Sequence, residues 1–474
     1  MRREELNAVL GIVKKSLKPY IGRFSANTKL PEKGRPRAEI LDEIRTMKSE
    51  EQRVWHEGYV SGAVYHGDEE FIDFLSEVYA LNAELNPLHP DVWPRATRFE
   101  AEIVAMTASM LSADRSPSRE QDGGVAGLIT SGGTESILTA MRCARDQARA
   151  ERGITQPELL MPATAHAAFS KACQYYGMTP VRVPVDPVSG RADVAAIKAA
   201  ITDRTAAMVG SAPGFPWGVV DPIQELSALA HERGIWFHTD ACLGGFLLPW
   251  AERLEEAVPP FDFRLSGVTS ISCDTHKYGY AAKGTSVVLY RNAHLRHYSY
   301  FTMTEWPGGL YNSPTMAGSR PGALSAEAWA ALLNMGEEGY LDATRKIVAT
   351  GKKIRAGIAA IPELRLMGES LLVAAFTSDV FNAYALQDLL SAKGWNLTGL
   401  QLPPGVHFGM TLRTAQPGVA DRFLADLTAA VVELRANPGR GSIMAPIYGL
   451  GKAVETEVSL ADVLTGYLDV QYEN

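Results

Sequence analysis

The chain has 474 residues, 46% hydrophobic and 21% charged, which is long for one ordinary domain and leaves ample apolar material for a core. A net charge of −8 excludes a chain built as a whole to grip nucleic acid. There is no apolar run of the ~18 residues a membrane span requires, and the opening MRREELN lacks a signal-peptide core, so no transmembrane helix is expected.

Residues 1–53 hold 13 Lys/Arg against 8 Asp/Glu. This basic arm is expected to be a solvated extension, with peripheral contact to anionic lipid or a partner subunit as the alternative. Residues 38–57 and 69–85 carry helical periodicity, and the three prolines of NPLHPDVWP (86–94) break the second run. Another amphipathic helix is expected over 98–112, followed by the polar loop SADRSPSREQDGG.

From residue 124 the rhythm changes. Short apolar runs at 125–130, 159–163, 181–185, 205–213, 235–241, 267–273 and 285–292 read as strands. Helical stretches at 134–151, 167–176, 194–201 and 222–234 fall between the earlier ones. This alternation predicts an α/β fold with a mostly parallel, seven-stranded sheet, whose ligand sits at the carboxyl ends of the strands. Helices near 338–360, 382–395 and 419–436, with strands near 363–377 and 406–414, read as a smaller C-terminal α+β domain, and the tail from 438 as less regular. The expected division is 1–95, an N-terminal helical and extended segment; 96–336, the large α/β domain; and 337–474, the small domain.

The chemistry collects at strand ends. TSGGTES (130–136) joins a strand to a helix start, where Gly132, Gly133 and Thr134 can offer backbone N–H groups to an anion. His166 follows the second strand, Asp240 ends the fifth, and His276 and Lys277 follow the sixth in SCDTHKYGYAAKG (272–284). Taken singly, each has a bland explanation: a tight turn, a structural histidine, a helix cap, a solvated lysine. Their order is what pyridoxal phosphate chemistry needs: a phosphate cradle, a flat side chain over the ring, an acid for the pyridine nitrogen and an amine for the aldehyde. The cysteines Cys143, Cys173, Cys242 and Cys273 show no metal-ligand spacing and are expected to be reduced core thiols in a cytoplasmic protein without a metal site.

HTDACLGGF (238–246), SCDTHKYGYAAKGTSVVLY (272–290), VSGAVYHG (60–67), NPLHPDVWP and SPTMAGSRPGALSAEAWAALLNMGEEGY (313–340) resemble the sphingosine-1-phosphate lyase family, as do AKGWNLTGLQLPPGVHF (392–408) and APIYGL (445–450). The resemblance covers about residues 20–470. It implies a pyridoxal phosphate-dependent transferase-like fold (aspartate aminotransferase-like, fold type I) and pyridoxal 5'-phosphate as cofactor. It further implies that Lys277 binds the cofactor aldehyde, that His276 with Gly132, Gly133 and Thr134 holds its phosphate, that His166 stacks on the ring, and that Asp240 pairs with the ring nitrogen. Tyr65, Asn86, His89 and Lys283 are implied for the substrate phosphate. Ser319 would reach a partner's site across a homodimer with shared active sites, and Cys242 and Tyr448 would lie near the site.

The resemblance implies cleavage of the C2–C3 bond of a phosphorylated sphingoid base, giving a long-chain aldehyde and phosphoethanolamine, by a soluble, bacterial-type enzyme. Candidate bases for the 3-hydroxyl proton are Lys277, His166 and the substrate phosphate, and the cationic cofactor site together with burial is expected to depress the Lys277 amine. Relatives tend to carry Pro-His-Gly where this chain has Pro216, Trp217 and Gly218, with Phe215 before them; Trp217 is expected to wall the pocket at most. An amino-acid decarboxylase on the same fold, or a non-catalytic scaffold, remain the alternatives.

Overall fold

The computed structural model describes residues 3–117, 123–442 and 459–473. Four helices come first: α1 (Arg3–Leu17), α2 (Arg37–His56), α3 (Glu69–Ala80) and α4 (Pro94–Met110). The basic arm is therefore largely helical, and part of its charge is already matched: Lys14 pairs with Glu473 at 2.5 Å, Arg23 with Glu50 at 2.5 Å and Arg35 with Glu43 at 2.6 Å. Helix α4 starts four residues earlier than expected because Pro94 occupies its first turn, where a missing N–H costs nothing.

The central layer runs β1 (Ala126–Thr130), α5 (Gly133–Arg152), β2 (Glu158–Pro162), α6 (Ala167–Tyr176), β3 (Thr179–Val183), α7 (Val194–Ala199), β4 (Thr205–Ser211), α8 (Ile223–Glu232), β5 (Trp236–Asp240), α9 (Leu248–Arg253), β6 (Ser270–Cys273) and β7 (Ser286–Tyr290). These strands form one seven-stranded sheet in the order β1-β7-β6-β5-β4-β2-β3. Strand β7 is antiparallel to both its neighbours, and the pairs from β6 to β3 are parallel. Every residue of β2, β4 and β5 is buried, as expected for strands covered on both faces. Leu159, Phe169 and Phe237 are fully enclosed, and each such side chain contributes about 2–3 kcal/mol of transfer free energy.

Beyond the sheet come α10 (Ala293–His297), a hairpin of β8 (Phe301–Met303) and β9 (Tyr311–Ser313), and α11 (Gly322–Ala359). The helix expected at 338–360 is thus the second half of a 38-residue helix, bent at Gly336, whose φ of 54° and ψ of 178° are non-helical. The remainder holds β10 (Arg365–Leu366), β11 (Val373–Thr377), α12 (Ala383–Ala392), β12 (Thr398–Gln401), β13 (Pro404–Gly409), α13 (Val419–Ala436) and α14 (Leu460–Tyr472). Strands β10 to β13 make an antiparallel sheet in the order β10-β11-β13-β12. Two expectations need correction here. The strand near 363–377 is two strands, and the tail holds a regular helix, α14, opened by a capping box between Ser459 and Asp462 and packed on α1.

Candidate active site

The carboxyl ends of β1, β2, β4, β5 and β6 converge on a cavity of about 470 Å³. It is lined by Gly132, Gly133 and Thr134 from the turn into α5, His166 from the start of α6, Asp240 and Cys242 after β5, His276 and Lys277 after β6, and Tyr65 from the segment before α3. Phe215 after β4, Glu135 and Asp274 line it as well.

The glycine turn is shaped by close approach. A Cβ on Gly133 would lie 2.6 Å from Asp274 Oδ2 and 2.8 Å from Cys242 Sγ, so no larger residue fits. Gly132 takes a φ of 156°, outside the range side chains favour. Glu135 accepts the Ser131 N–H at 2.7 Å and the Met316 N–H at 3.2 Å, clamping the turn and tying the 313–319 segment to it.

The lysine turn is anchored from two sides. Tyr278 donates to the Met410 carbonyl at 2.6 Å, and Tyr340 donates to the Gly279 carbonyl at 2.9 Å. Lys277 Nζ lies 2.9 Å from Asp274 Oδ2, and Asp274 is 2% exposed. Burial is the largest single influence and acts to lower the Lys277 ammonium, but the raising influences, led by the Asp274 carboxylate, together prevail and the net direction is upward. For the free amine, not bonded to cofactor, the direction is thus opposite to the depression expected from burial and the cationic cofactor site, because that expectation leaves out the carboxylate three residues before the lysine.

Asp240 is 7% exposed. Its Oδ1 accepts the Cys242 N–H at 3.1 Å and the Ser272 hydroxyl at 3.4 Å. Behind it runs a chain whose direction is set by chemistry. Trp236 Nε1 can only donate, and does so to Ser270 Oγ at 2.8 Å. Ser270 then donates to His238 Nδ1 at 2.7 Å, which puts the ring proton on Nε2, 3.1 Å from Ser272 Oγ. Ser272 in turn donates to Asp240. Burial pushes His238 down to about 4, so it is neutral at pH 7, as this tautomer requires. The Cys242 thiol also reaches Ser272, at 3.2 Å, and burial raises it well above its ordinary value. Cys242 is thus a protonated donor in the polar network.

His166 caps α6, its Nδ1 accepting the Ala168 N–H at 3.1 Å. His276 Nδ1 donates to the Thr285 carbonyl at 2.6 Å and leaves Nε2 facing inward, 3.7 Å from Asp274. Lys283 does not line the cavity. It sits beside it, donating to the His276 carbonyl at 3.2 Å and resting over the Tyr65 ring at 4.8 Å. Burial first, and then the neighbouring Lys277 charge, lower the Lys283 ammonium; burial raises Tyr65 to about 12.

Asn86 and Ser319 stand apart from the cavity and hold each other, Asn86 Nδ2 donating to Ser319 Oγ at 3.0 Å. His89 shares the loop of Asn86, its N–H bonded to the Asn86 carbonyl at 3.0 Å. Tyr448 lies outside the described residues. Trp217 does not wall the cavity: it is 6% exposed and packed on Gly190, where a Cβ would come within 2.1 Å of the indole. Phe215 takes the wall position, its ring stacked on His407 at 4.6 Å.

The donor set fits pyridoxal phosphate. A glycine turn too tight for a Cβ at Gly133 adjoins a helix start and an inward-facing imidazole, a buried carboxylate fed by aligned donors faces the cavity, and a lysine amine lines the same cavity. Residues 19–376 match the model of the pyridoxal-dependent decarboxylase conserved domain. The sphingosine-1-phosphate lyase of Arabidopsis thaliana is 45% identical over 449 residues, which cover 94% of this chain and 81% of that one.

The chain belongs to the sphingosine-1-phosphate lyase family.

A Burkholderia pseudomallei sphingosine-1-phosphate lyase structure superposes with a TM-score of 0.85 at 43% identity, covering 92% of this chain and 100% of that one. The fold reaches further: a Lactobacillus brevis glutamate decarboxylase, 21% identical, superposes with a TM-score of 0.74 over 87% of this chain and 96% of its own. The lyase fold is that of the pyridoxal phosphate-dependent decarboxylases and aminotransferases, with its seven-stranded, mostly parallel sheet. Among the described residues of this lyase, no helix is long and apolar enough to cross a membrane.

Proposed function

We infer that this protein is a pyridoxal phosphate-dependent carbon–carbon lyase that cleaves sphingosine-1-phosphate to a long-chain aldehyde and phosphoethanolamine. The observation that carries the reading is full-length similarity at 45% identity to a sphingosine-1-phosphate lyase, joined to a cavity holding the lysine, acid and glycine turn that this chemistry needs. Lys277 would bind the cofactor aldehyde, Gly132, Gly133, Thr134 and His276 its phosphate, His166 its ring face and Asp240 its ring nitrogen. When bound, pyridoxal phosphate supplies an electron sink for the bonding pair released at Cα.

The protein's own groups divide the remaining work. Lys283, over Tyr65 at the cavity edge, offers a cation to the substrate phosphate, so that binding energy far from the scissile bond orients it. Of the candidate bases, two are already committed. His166 Nδ1 is occupied by the helix cap, so its open Nε2 carries the proton; free Lys277 is held as ammonium by Asp274. The substrate phosphate is the remaining acceptor for the 3-hydroxyl proton.

The same reading assigns Asn86, His89 and Ser319 to the site of a second copy in a homodimer. Their supporting feature is that they pair with each other away from the cavity of their own chain. It places the hinge between the large and small domains at Gly336, and the protein in the cytoplasm on the strength of four buried, unpaired thiols.

The test compares sphingosine-1-phosphate with its unphosphorylated counterpart and with a panel of amino acids. Aldehyde from the phosphorylated base, little from the other base and no carbon dioxide from amino acids is the expected pattern. Carbon dioxide from an amino acid without aldehyde from the lipid would move the assignment to the decarboxylases.

A further inference from the structure

We propose that Asp274 is the positioning residue for Lys277: it holds the amine released from the cofactor as an ammonium, and so makes that released Lys277 a proton donor rather than a base.

The two side chains meet at 2.9 Å, with Asp274 2% exposed and three residues earlier on the same turn. A carboxylate buried this deeply persists only with donors around it. Lys277 supplies one. Ser286 supplies a second, donating to Asp274 Oδ1 at 2.6 Å. Because the Ser286 hydrogen is committed there, Ser286 accepts from Ser136 at 2.8 Å, and Ser136 accepts from Thr130 at 2.6 Å. Three hydroxyls from β1, α5 and β7 therefore line up behind Asp274, each dipole reinforcing the next. The carboxylate is fixed in place and charge, and it faces the amine.

The other titratable groups around Lys277 do not replace it. Tyr65, from the segment before α3, and Cys242, beyond β5, are neutral at pH 7, both pushed up by burial. His276 is lowered by burial, and Lys283 is a like charge. Asp240, Glu135 and His166 line the same cavity, but Asp240 Oδ1 and Glu135 are engaged by backbone N–H groups and His166 by its helix cap.

The proton count closes. The substrate amine arrives as an ammonium and Lys277 leaves the cofactor as an ammonium, so the exchange releases no proton. Once the aldehyde has departed, one Nζ–H bond breaks and one Cα–H bond forms on the substrate. Lys277 becomes the neutral amine that can bind the cofactor again, and no oxidant or further reactant is required.

The proposal rests on the cofactor assignment, and its test separates the two. Holding pyridoxal phosphate with the protein at a series of pH values, trapping with borohydride and counting modified Lys277 by mass spectrometry reads the fraction of neutral amine. No modification of Lys277 in the wild type would overturn the cofactor assignment itself, and this proposal with it. With wild-type capture established, Asp274→Asn should move the profile to lower pH, with about tenfold more capture on the acid side for each unit moved. The same displacement should appear with pyridoxal, which lacks the phosphate, while turnover falls. Ser286→Ala should move the profile in the same direction by less, and it decides the matter should Asp274→Asn not fold. Profiles that coincide with the wild type, or that move only with the phosphate-bearing probe, would overturn the proposal.

Discussion

Trp236 and Asp240 stand at opposite ends of one strand and are joined through side chains by Ser270, His238 and Ser272, every bond pointing toward the carboxylate. The first donor cannot accept and the last acceptor, once ionised, cannot donate, so the chain has one direction. Its effect on Asp240 should fade with distance. Ser272→Ala, which removes the hydroxyl bonded to the carboxylate, should cost about 1.5–2 kcal/mol in kcat/KM, roughly ten- to thirtyfold. Ser270→Ala should cost less and Trp236→Phe least. Steady-state kinetics of the three variants check the order, and an equal or inverted order would contradict the relay.

Lys283 and Lys277 lie in one motif but serve different groups in this account, the substrate phosphate and the cofactor aldehyde. Lys283→Ala should lower kcat/KM for the phosphorylated substrate by about ten- to a hundredfold, the range for a lost charge-assisted hydrogen bond. Capture of pyridoxal phosphate should change little. A loss of cofactor binding equal to the loss of activity would place Lys283 at the cofactor instead.

Phe215 and Trp217, two residues apart, have opposite surroundings. Phe215 is 41% exposed on the cavity wall and Trp217 is 6% exposed under Gly190. Trp217→Ala should therefore cost about 3–5 kcal/mol of stability, as large-to-small changes in a core do. Phe215→Ala should act on KM and leave the melting temperature nearly unchanged. Thermal melts beside substrate titrations distinguish the two, and a melting temperature unmoved by Trp217→Ala would contradict the assigned packing.

Three imidazoles, His66, His238 and His407, are pushed down to about 4 by burial. Their charged forms are favoured on unfolding, so their stabilising effect is present above the unfolded value of about 6.5 and is lost as pH falls toward 4. Asp221, raised to about 6, and Glu327, raised to about 7, run the other way: the fold holds their protons better than the unfolded chain does. Between pH 6 and 5 the histidines prevail by about one proton, or ~1.4 kcal/mol lost per pH unit. Denaturant melts at the two pH values should show this fall; equal or greater stability at pH 5 would contradict the balance.

Much of this was legible in the sequence because the sheet announces itself. Strands buried on both faces, such as TAAMVGS and WFHTD, read as short apolar runs between helices, and the cofactor residues sit at their ends. Asp274 was in plain view within SCDTHK, yet a carboxylate three residues before a lysine becomes its partner only if the turn closes. The close contact of Gly279 with the Thr275 carbonyl, where a Cβ would lie 2.5 Å away, belongs to that closure and leaves little trace in composition. His238 and Ser272 sit inside strands buried along their whole length, and only the register that pairs His238 with Ser270 and Asp240 with Ser272 makes a relay of them. Trp217 misled for the opposite reason: proximity in sequence to a wall residue says nothing about which way the turn directs a side chain.

Product analysis of the holoenzyme with sphingosine-1-phosphate, beside Lys277→Ala, tests the central claim most directly. The account predicts long-chain aldehyde and phosphoethanolamine in equal amounts from the wild type and neither from the variant. Wild type that captures pyridoxal phosphate at Lys277 yet forms neither product, or a Lys277→Ala variant that forms both at the wild-type rate, would contradict it.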